Sequence, residues 1–600
     1  MLFKCRNYYY LCGMYVQRNK TTGKNGKAYT STLLCTKYRQ DGKIKTKVEA
    51  NLSHMPEELV LTIENVLKHG KGALVSAESI TAKSSIDFGL VYLLMHLMDK
   101  LRISQTIEKV LPAQQAALLK AIIIGKIITR GSKLGIYNWL GRNKNICSQL
   151  GVDIQHTKVD HLYSALGQVS QVQQKIERKW FLYHKNKHKE VYLYDITSTY
   201  FEGTQNELAA FGYNRDKKKG KMQINIGLIT DSEGFPLKVE VFKGNINDHA
   251  TVQEQIKSIK EEFNTSQVIF VGDRGMKIRY NLEGLDQAGK QGVRYITGLT
   301  NQEIRNLLDN DIIQLKLFSN ELAEVEYQGE RYVLSVNAAL QEQELTYLKT
   351  MRGIADDGIA EVKASWEKRH RQNTENIQKL NKGHKNKKLV TGFSEKQLDR
   401  YKLRVENILS KRGLNQYYEI TEISNQAFVV DFKAEKYQQT KQLAGKYVVC
   451  TNVEKGQMEK TEVRQQYKNL QHVEHAFRDF KSDNIQIRPV YHRNEAQTRG
   501  HVLLSMFSYA IVKEMEDKIF PFLVSWNKKT KSKLSFSDIL EELKDIKLVK
   551  LNLGRNVESI KITELNQLQE QVLKLFNIKK TDLKNICSNK IEKISAYLSE

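Results

Sequence analysis

The chain has 600 residues, enough for several domains with separate buried cores, which excludes a single small domain. Lysine and arginine total 94 against 68 aspartate and glutamate residues, giving a formal net charge of +26 at pH 7. Because this excess is spread along the whole chain, it favours a polyanionic partner such as nucleic acid. The alternative is a generally lysine-rich proteome, in which the charge has no specific partner.

The six cysteines are scattered without CxxC pairs. They therefore indicate neither a zinc site nor a disulfide framework, and favour a reducing compartment. No apolar signal core follows Met1. The most apolar stretches, around 116–128 and 501–512, are too short or carry lysine, so we expect no membrane span and a cytoplasmic protein.

The first 187 residues divide into a β-rich part and a helical part. Residues 1–54 alternate between apolar and polar side chains, with Gly, Lys and Asn turns, which predicts a small basic β-meander. Residues 55–187 have amphipathic helical spacing, and the break at 130–132 is typical of a turn between two helices. We expect the helical part to bind DNA ends or to mediate dimerisation.

Residues 188–300 have the pattern of an α/β core. The apolar run 191–194 predicts a buried strand that ends in Asp195, whose charge needs a partner or a metal ion. Two alternating stretches follow, with a hairpin turn between them. The apolar run 268–271 predicts a strand buried on both faces, and it brings a second carboxylate, Asp273, to a strand end.

The interval after this core is long and basic. About 200 residues separate Asp273 from Glu474, too many for a loop in a compact domain. We therefore predict an insertion domain at 301–446, with strands flanking a long basic helical stretch at about 362–411. That stretch favours phosphate contact, although such patterns more often form a solvated helix face.

The chain returns to the core at 447–515. Its apolar residues Leu470, Val473, Phe477 and Phe480 lie at helical spacing. Tyr467, Glu474 and Lys481 are seven residues apart, which places them on one face of a single predicted helix. A basic helical region, 516–600, follows.

Two aspartates at strand ends and one glutamate on a helix form a hard, all-oxygen donor set. Such a set suits Mg²⁺ or Mn²⁺, and two ions held this way catalyse in-line attack on phosphate. Taken singly, an aspartate at a strand end is usually a turn or helix cap, and Glu and Lys seven apart are usually solvated. The combination of Asp195, Asp273 and Glu474 in a strongly basic chain favours catalysis.

Four stretches carry a resemblance to a known family: 194–203, 244–248, 272–276 and 467–481. They resemble insertion-sequence transposases of the IS4 superfamily, specifically the IS1634-like group. The resemblance implies a multidomain α+β chain whose α/β catalytic core is RNase H-like and interrupted by a large insertion. It makes Asp195, Asp273 and Glu474 the metal-binding triad of a DDE enzyme.

The family's signature helix carries Tyr, Arg, Glu and Lys at fixed spacings. Tyr467, Glu474 and Lys481 match it, but Leu470 stands at the arginine position. We expect Arg478, one turn after Glu474, to supply that charge.

The resemblance implies a DDE transposase that uses two Mg²⁺ or Mn²⁺ ions to cut DNA at the element ends and to join the 3′-OH to target DNA. Its expected partners are double-stranded DNA, as terminal inverted repeats and target, and a second copy in a synaptic homodimer. The expected location is the bacterial cytoplasm, at the nucleoid. The expected DNA-contacting residues are Tyr467, Arg478, Lys481, Arg274 and, by stacking on a displaced base, Trp366.

Two other functions fit the same residues. The first is an RNase H-like, metal-dependent nuclease that cuts without joining. The second is a catalytically decayed DNA-binding protein, against which the intact carboxylate triad argues.

Overall fold

The structure is a computed structural model. It describes residues 4–5, 8–22, 28–40, 42–69, 80–184, 190–213, 215–216, 218–263, 265, 267–276, 278, 281, 292–319, 321–383, 389–411, 413–482, 485–552 and 558–583. By contacts within the chain it forms two compact units. The terminal unit comprises Met1–Ser104, Ala116–Val159 and Ile511–Glu600, and the central unit comprises Gln105–Gln115 and Asp160–Ala510.

The fold is mixed α/β. The strands of the described residues are β1 Lys4–Cys5, β2 Tyr8–Thr22, β3 Ala28–Gln40, β4 Lys43–Asn51, β5 Thr81–Asp87, β6 Val191–Tyr200, β7 Gln223–Thr230, β8 Pro236–Lys243, β9 Val268–Gly272, β10 Val293–Gly298, β11 Ala323–Tyr327, β12 Glu330–Val336, β13 Tyr418–Ile423, β14 Phe428–Phe432, β15 Lys446–Thr451, β16 Lys547–Asn552 and β17 Glu558–Ile562. The α-helices are Glu57–His69, Gly89–Lys100, Ile103–Glu108, Ala113–Thr129, Lys133–Arg142, Lys144–Leu150, Val159–Gln171, Gln173–His184, Val252–Phe263, Asn301–Asp309, Ala338–Asn381, Glu395–Ser410, Ala434–Leu443, Lys460–Lys468, Leu470–Lys481, Glu495–Thr530, Phe536–Lys544 and Gln567–Leu575. Among the helices so described, none is long and apolar enough to span a membrane.

The terminal unit contains two antiparallel sheets. Strands β1 to β4 form one in consecutive order, as the alternating pattern of residues 1–54 predicts. The other has the order β17-β16-β5 and pairs Asp87 with Lys547, although the two are far apart in the chain. Regions 55–187 and 516–600 were expected to be helical, so β5, β16 and β17 correct that prediction. The pairing of β5 with β16 is a long-range contact that helical periodicity does not encode.

The predicted helix break in the terminal unit is present. Helix Ala113–Thr129 ends before Arg130, whose φ of 53° is left-handed, and Ser132 caps the next helix by accepting a hydrogen bond from the Gly135 N–H. The two helices pack closely, because a Cβ on Gly125 would lie 2.7 Å from the Ile136 side chain.

The central unit is built on an eight-stranded sheet with the order β11-β12-β15-β10-β9-β6-β7-β8. Strand β6 pairs antiparallel with β7, and β7 with β8, whereas β9 lies parallel to β6 and β10 parallel to β9. Nearly all residues of β6, β7 and β9 are buried, as expected for strands covered on both faces. The helix Val252–Phe263 covers one face with the apolar side chains Val252, Ile256, Ile259 and Phe263.

Strand β6 is longer than predicted. The apolar run indicated an end at Asp195, but the strand continues to Tyr200 because residues 195–200 remain paired with β7. Its parallel pairing with β9, however, stops at Tyr194 and Gly272. Asp195 and Asp273 are therefore the next residues along two adjacent strands.

The predicted insertion at 301–446 is only partly separate from the core. Strands β11 and β12 lie within it, yet they extend the central sheet beside β15. The basic stretch 362–411 is two helices, Ala338–Asn381 and Glu395–Ser410, whose apolar faces share one core cluster, and residues 384–388 lie outside the described residues. The predicted boundary between 515 and 516 falls inside the continuous helix Glu495–Thr530.

Candidate active site

A cavity of about 290 Å³ lies beside the central strands of the sheet, at the carboxyl end of β9, where the pairing of β6 with β9 ends. Asp195, Asp273 and Glu474 all line it. Asp248 and the guanidinium of Arg215 line the same cavity. The three carboxylates that the sequence analysis singled out therefore lie at one site, together with a fourth.

Helix Leu470–Lys481 brings Glu474 to this cavity through its amphipathic pattern. Its apolar face, which includes Val473, Phe477 and Phe480, is buried, whereas Glu474 is exposed. Burial of that face holds the helix against the unit and leaves the carboxylate at the cavity wall.

The electrostatics of the cavity are unbalanced. Burial, together with the negative charges of Asp273 and Asp248, raises the pKa of Asp195 to about 7, against a hydrogen bond from the Ile196 N–H and the positive charge of Arg215. Four carboxylates face one guanidinium. An all-oxygen donor set with excess negative charge fits a hard divalent cation such as Mg²⁺ or Mn²⁺.

Tyr467 lies beside the second aspartate, but on a different helix from Glu474. The chain breaks at Asn469, between helices Lys460–Lys468 and Leu470–Lys481, so the predicted single helix is two. The Tyr467 hydroxyl donates a hydrogen bond to Asp273 Oδ1 over 3.2 Å. Burial and the Asp273 charge raise the pKa of Tyr467, which keeps the hydroxyl protonated and able to donate.

Tyr467 is also packed tightly against the sheet. A Cβ on Gly298, at the end of β10, would lie 2.2 Å from the tyrosine hydroxyl. Glycine at this position therefore leaves the space that the ring occupies.

Lys481 is held by an aspartate from the segment between β6 and β7. Its Nζ lies 3.0 Å from Asp216 Oδ1, and the same oxygen accepts a 2.7 Å hydrogen bond from Arg488. Burial lowers the pKa of Lys481, as do the positive charges of Arg488 and Arg215, whereas Asp216 opposes them.

Comparison with protein families identifies the domain that carries this site. A family model described as the transposase DDE domain matches residues 186–511, just over half of the chain. The chain belongs to this family. None of the curated proteins matches the sequence.

The chain is also similar to a solved structure. That structure is described as a cryo-EM structure of the piggyBac transposase synaptic complex with hairpin DNA. The two chains share 8% sequence identity with a TM-score of 0.33, and the match covers 84% of this chain and 87% of that chain. Similarity this weak does not define a common fold.

Within the transposase domain, the other predicted DNA-contacting residues lie in different surroundings. Arg274 is exposed in the short 3₁₀ turn directly after Asp273, and Arg478 is exposed one turn after Glu474. Trp366 is only 6% exposed. Its indole N–H donates to the Ser424 carbonyl.

The packing of Trp366 corrects the prediction that it stacks on a displaced base. The rings of His370 and Phe393 stack on its indole, inside the core cluster of the insertion. An aromatic ring already packed in this way has no open surface for a base.

Sequence reasoning missed the roles of four charged residues in the transposase domain. Asp248 pairs with Arg215 in the cavity. Asp216 sits in a lysine-rich segment that resembles a solvated loop, and Arg488 follows the Glu474 helix without a motif. Asp248 lies in the stretch 244–248 that carries the family resemblance, whereas Arg215, Asp216 and Arg488 have no sequence signal that distinguishes them from ordinary surface charges.

Proposed function

We propose that this chain is a transposase of the IS4 superfamily, IS1634-like group, that cuts DNA at the ends of an insertion sequence and joins the released 3′-OH to target DNA. One observation carries the proposal. Asp195 on β6 and Asp273 after β9 directly follow the last paired positions of these two adjacent parallel strands, and Glu474 lines the same cavity.

We propose that strands β6 to β10 form an RNase H-like core. Three antiparallel strands, a helix and two parallel strands occur in that chain order, and β6 lies centrally between β7 and β9. Family membership over residues 186–511 supports the same assignment. In this proposal 188–300 and 447–515 supply the core, 301–446 the insertion, and the flanking regions 1–54, 55–187 and 516–600 contact DNA or a second protomer.

Asp195, Asp273 and Glu474 are the residues that would hold two Mg²⁺ or Mn²⁺ ions. Bound there, the ions supply activation of the attacking oxygen and neutralisation of charge on the phosphate. Tyr467 orients Asp273 through its hydrogen bond, and Arg215 holds Asp248 beside them.

The cationic residues around the cavity would bind the DNA backbone. Arg274 and Arg478 are exposed next to two of the carboxylates, and Lys481 lies close enough to Arg215 for their charges to interact. Backbone contacts of this kind place the scissile phosphate without reading sequence.

The proposed partners are double-stranded terminal inverted repeats, target DNA and a second protomer that holds the other end. The net charge of +26 supports a DNA partner, because cation–phosphate contacts dominate such affinity. We place the protein in the bacterial cytoplasm, at the nucleoid.

The test uses full-length protein, Mg²⁺ or Mn²⁺, and labelled duplexes taken from the DNA that flanks the coding sequence. Wild type is expected to cut and join, whereas Glu474→Gln binds the duplex and does neither. Glu454→Gln, which neutralises an exposed glutamate that does not line the cavity, serves as the matched control.

The outcomes separate the three functions. Cutting without joining supports the nuclease. Binding without either step supports the decayed protein. A Glu474→Gln variant as active as wild type contradicts the assignment of the site.

A further inference from the structure

We propose that Asp216 positions Lys481 and Arg488 as a two-cation clamp on one phosphate of the DNA strand that enters the cavity. The inference rests on the proposed function and adds two residues to it. Arg488 becomes a phosphate-binding residue, and Asp216 a positioning residue that acts through the two cations.

The first observation is the placement of Asp216. Its side chain is only 2% exposed, and one oxygen, Oδ1, accepts from both Lys481 and Arg488. The other oxygen, Oδ2, accepts from the Tyr200 N–H over 3.2 Å at the end of β6. A carboxylate held by the backbone in this way fixes the two cations relative to the strand that carries Asp195.

The chain on both sides of Asp216 is anchored as well. The Arg215 N–H donates to Ser198 Oγ on β6, and the Arg215 side chain pairs with Asp248 at the cavity. Arg215 thus pairs with Asp248 at the cavity, and its neighbour Asp216 pairs with Lys481 and Arg488.

The second observation is the charge of the cluster. One carboxylate faces two cations, so the three side chains carry a formal charge of +1. Arg488 keeps 34% of its side chain exposed, and a guanidinium has five N–H donors, more than the contact to Asp216 uses. An accessible arginine with spare donors beside a lysine matches the oxygens of a phosphate.

The third observation concerns the missing arginine of the signature helix. Leu470 occupies that position and is buried, so the position supplies no charge to the site. Arg488 shares a carboxylate oxygen with Lys481, the last residue of the same signature. The segment that carries it runs beside the end of β6, where the Glu202 N–H donates to the Val490 carbonyl. Arg488 therefore supplies an arginine beside the lysine of the signature.

The test compares Asp216→Asn, the double variant Lys481→Met/Arg488→Gln, and the triple variant in the full-length protein. Joining of a pre-cleaved labelled end is measured under single turnover, and duplex binding is measured across a salt series. Glu202→Gln is the matched control. Glu202 pairs with Lys221, and these two residues flank the segment between β6 and β7 that carries Asp216.

Asp216→Asn is expected to slow joining about tenfold, and the double variant about a hundredfold, on the scale of lost charge-assisted phosphate contacts. The triple variant is expected to be no slower than the double, because Asp216 acts through the two cations. The double variant should also lower the salt slope of binding by about 1 to 2. Glu202→Gln should match wild type in both assays.

Three results would overturn the inference. The first is that Asp216→Asn slows joining by the same factor in the double variant as in wild type, which would show that Asp216 does not act through the cations. If the double variant keeps the joining rate and salt slope of wild type, the cluster is a structural ion pair only. A wild type that binds but neither cuts nor joins contradicts the proposed function. In that case the salt slope of duplex binding by the double variant tests the clamp. A wild type that does not bind duplex contradicts both.

Discussion

The acidic cavity of the core and the aromatic cluster of the insertion offer a direct comparison. In the cluster, Trp366 is packed between rings and its one polar hydrogen has a backbone acceptor. Four carboxylates and one guanidinium line the cavity, and Asp195 has a raised pKa. Both regions attracted functional predictions, but only the cavity holds groups whose charge the fold leaves uncompensated. Such imbalance points to a site, whereas complete satisfaction points to folding.

The largest effect is expected from Asp195→Asn. It should lower cleavage and joining by at least about 10³-fold, because a metal-binding carboxylate is lost. It should also raise the stability of the metal-free protein by about 1 kcal/mol, because a buried charge repelled by Asp273 and Asp248 is removed. Thermal unfolding in EDTA measures the second effect, and a destabilised variant would contradict the charge imbalance.

Trp366→Ala should lower stability, whereas Asp195→Asn should raise it. Loss of this buried ring is expected to destabilise the insertion by about 3 to 5 kcal/mol. Amide hydrogen exchange of residues 418–432 measures it, because β13 and β14 contribute to the same cluster. Tyr347→Ala, at a position 56% exposed on the same helix, should stay within about 0.5 kcal/mol of wild type. Unchanged exchange together with weaker DNA binding would favour a DNA-contacting role for Trp366.

A metal ion should stabilise the protein only through the cavity. Mn²⁺ at about 100 times its dissociation constant is expected to add about 2.7 kcal/mol of stability. The increase should vanish in Asp195→Asn and persist in Trp366→Ala. Equal stabilisation of wild type and Asp195→Asn would place the ion elsewhere.

The smallest effect is expected from Tyr467→Phe. It removes the hydrogen bond to Asp273, worth about 1 kcal/mol, and should slow joining about fivefold with little change in duplex binding. Tyr347→Phe, which changes an exposed hydroxyl, is the control. A variant that joins at the wild-type rate would show that the Asp273 carboxylate needs no orientation by Tyr467.

The sequence predicted much of the core because its signals are local. Continuous apolar runs predicted β6 and β9, and the 3.6-residue spacing of Val473, Phe477 and Phe480 predicted the helix that carries Glu474. It failed where partners lie far apart in the chain. Strand β5 was missed because it pairs with β16. The sequence also predicted one helix at 467–481, whereas the structure has two helices that meet at Asn469.

By itself, therefore, the sequence determined which carboxylates follow the apolar runs of the buried strands and which face of a helix carries Glu474, because hydrophobic periodicity is written along the chain. Only the tertiary structure decided that Asp195 and Asp273 are neighbours, since the parallel register of β6 and β9 pairs residues 78 positions apart in the chain. It also decided that Asp216 holds Lys481 and Arg488 and that Trp366 is covered. A polar residue's role depends on whether the fold supplies its partner, and that partner lies elsewhere in the chain.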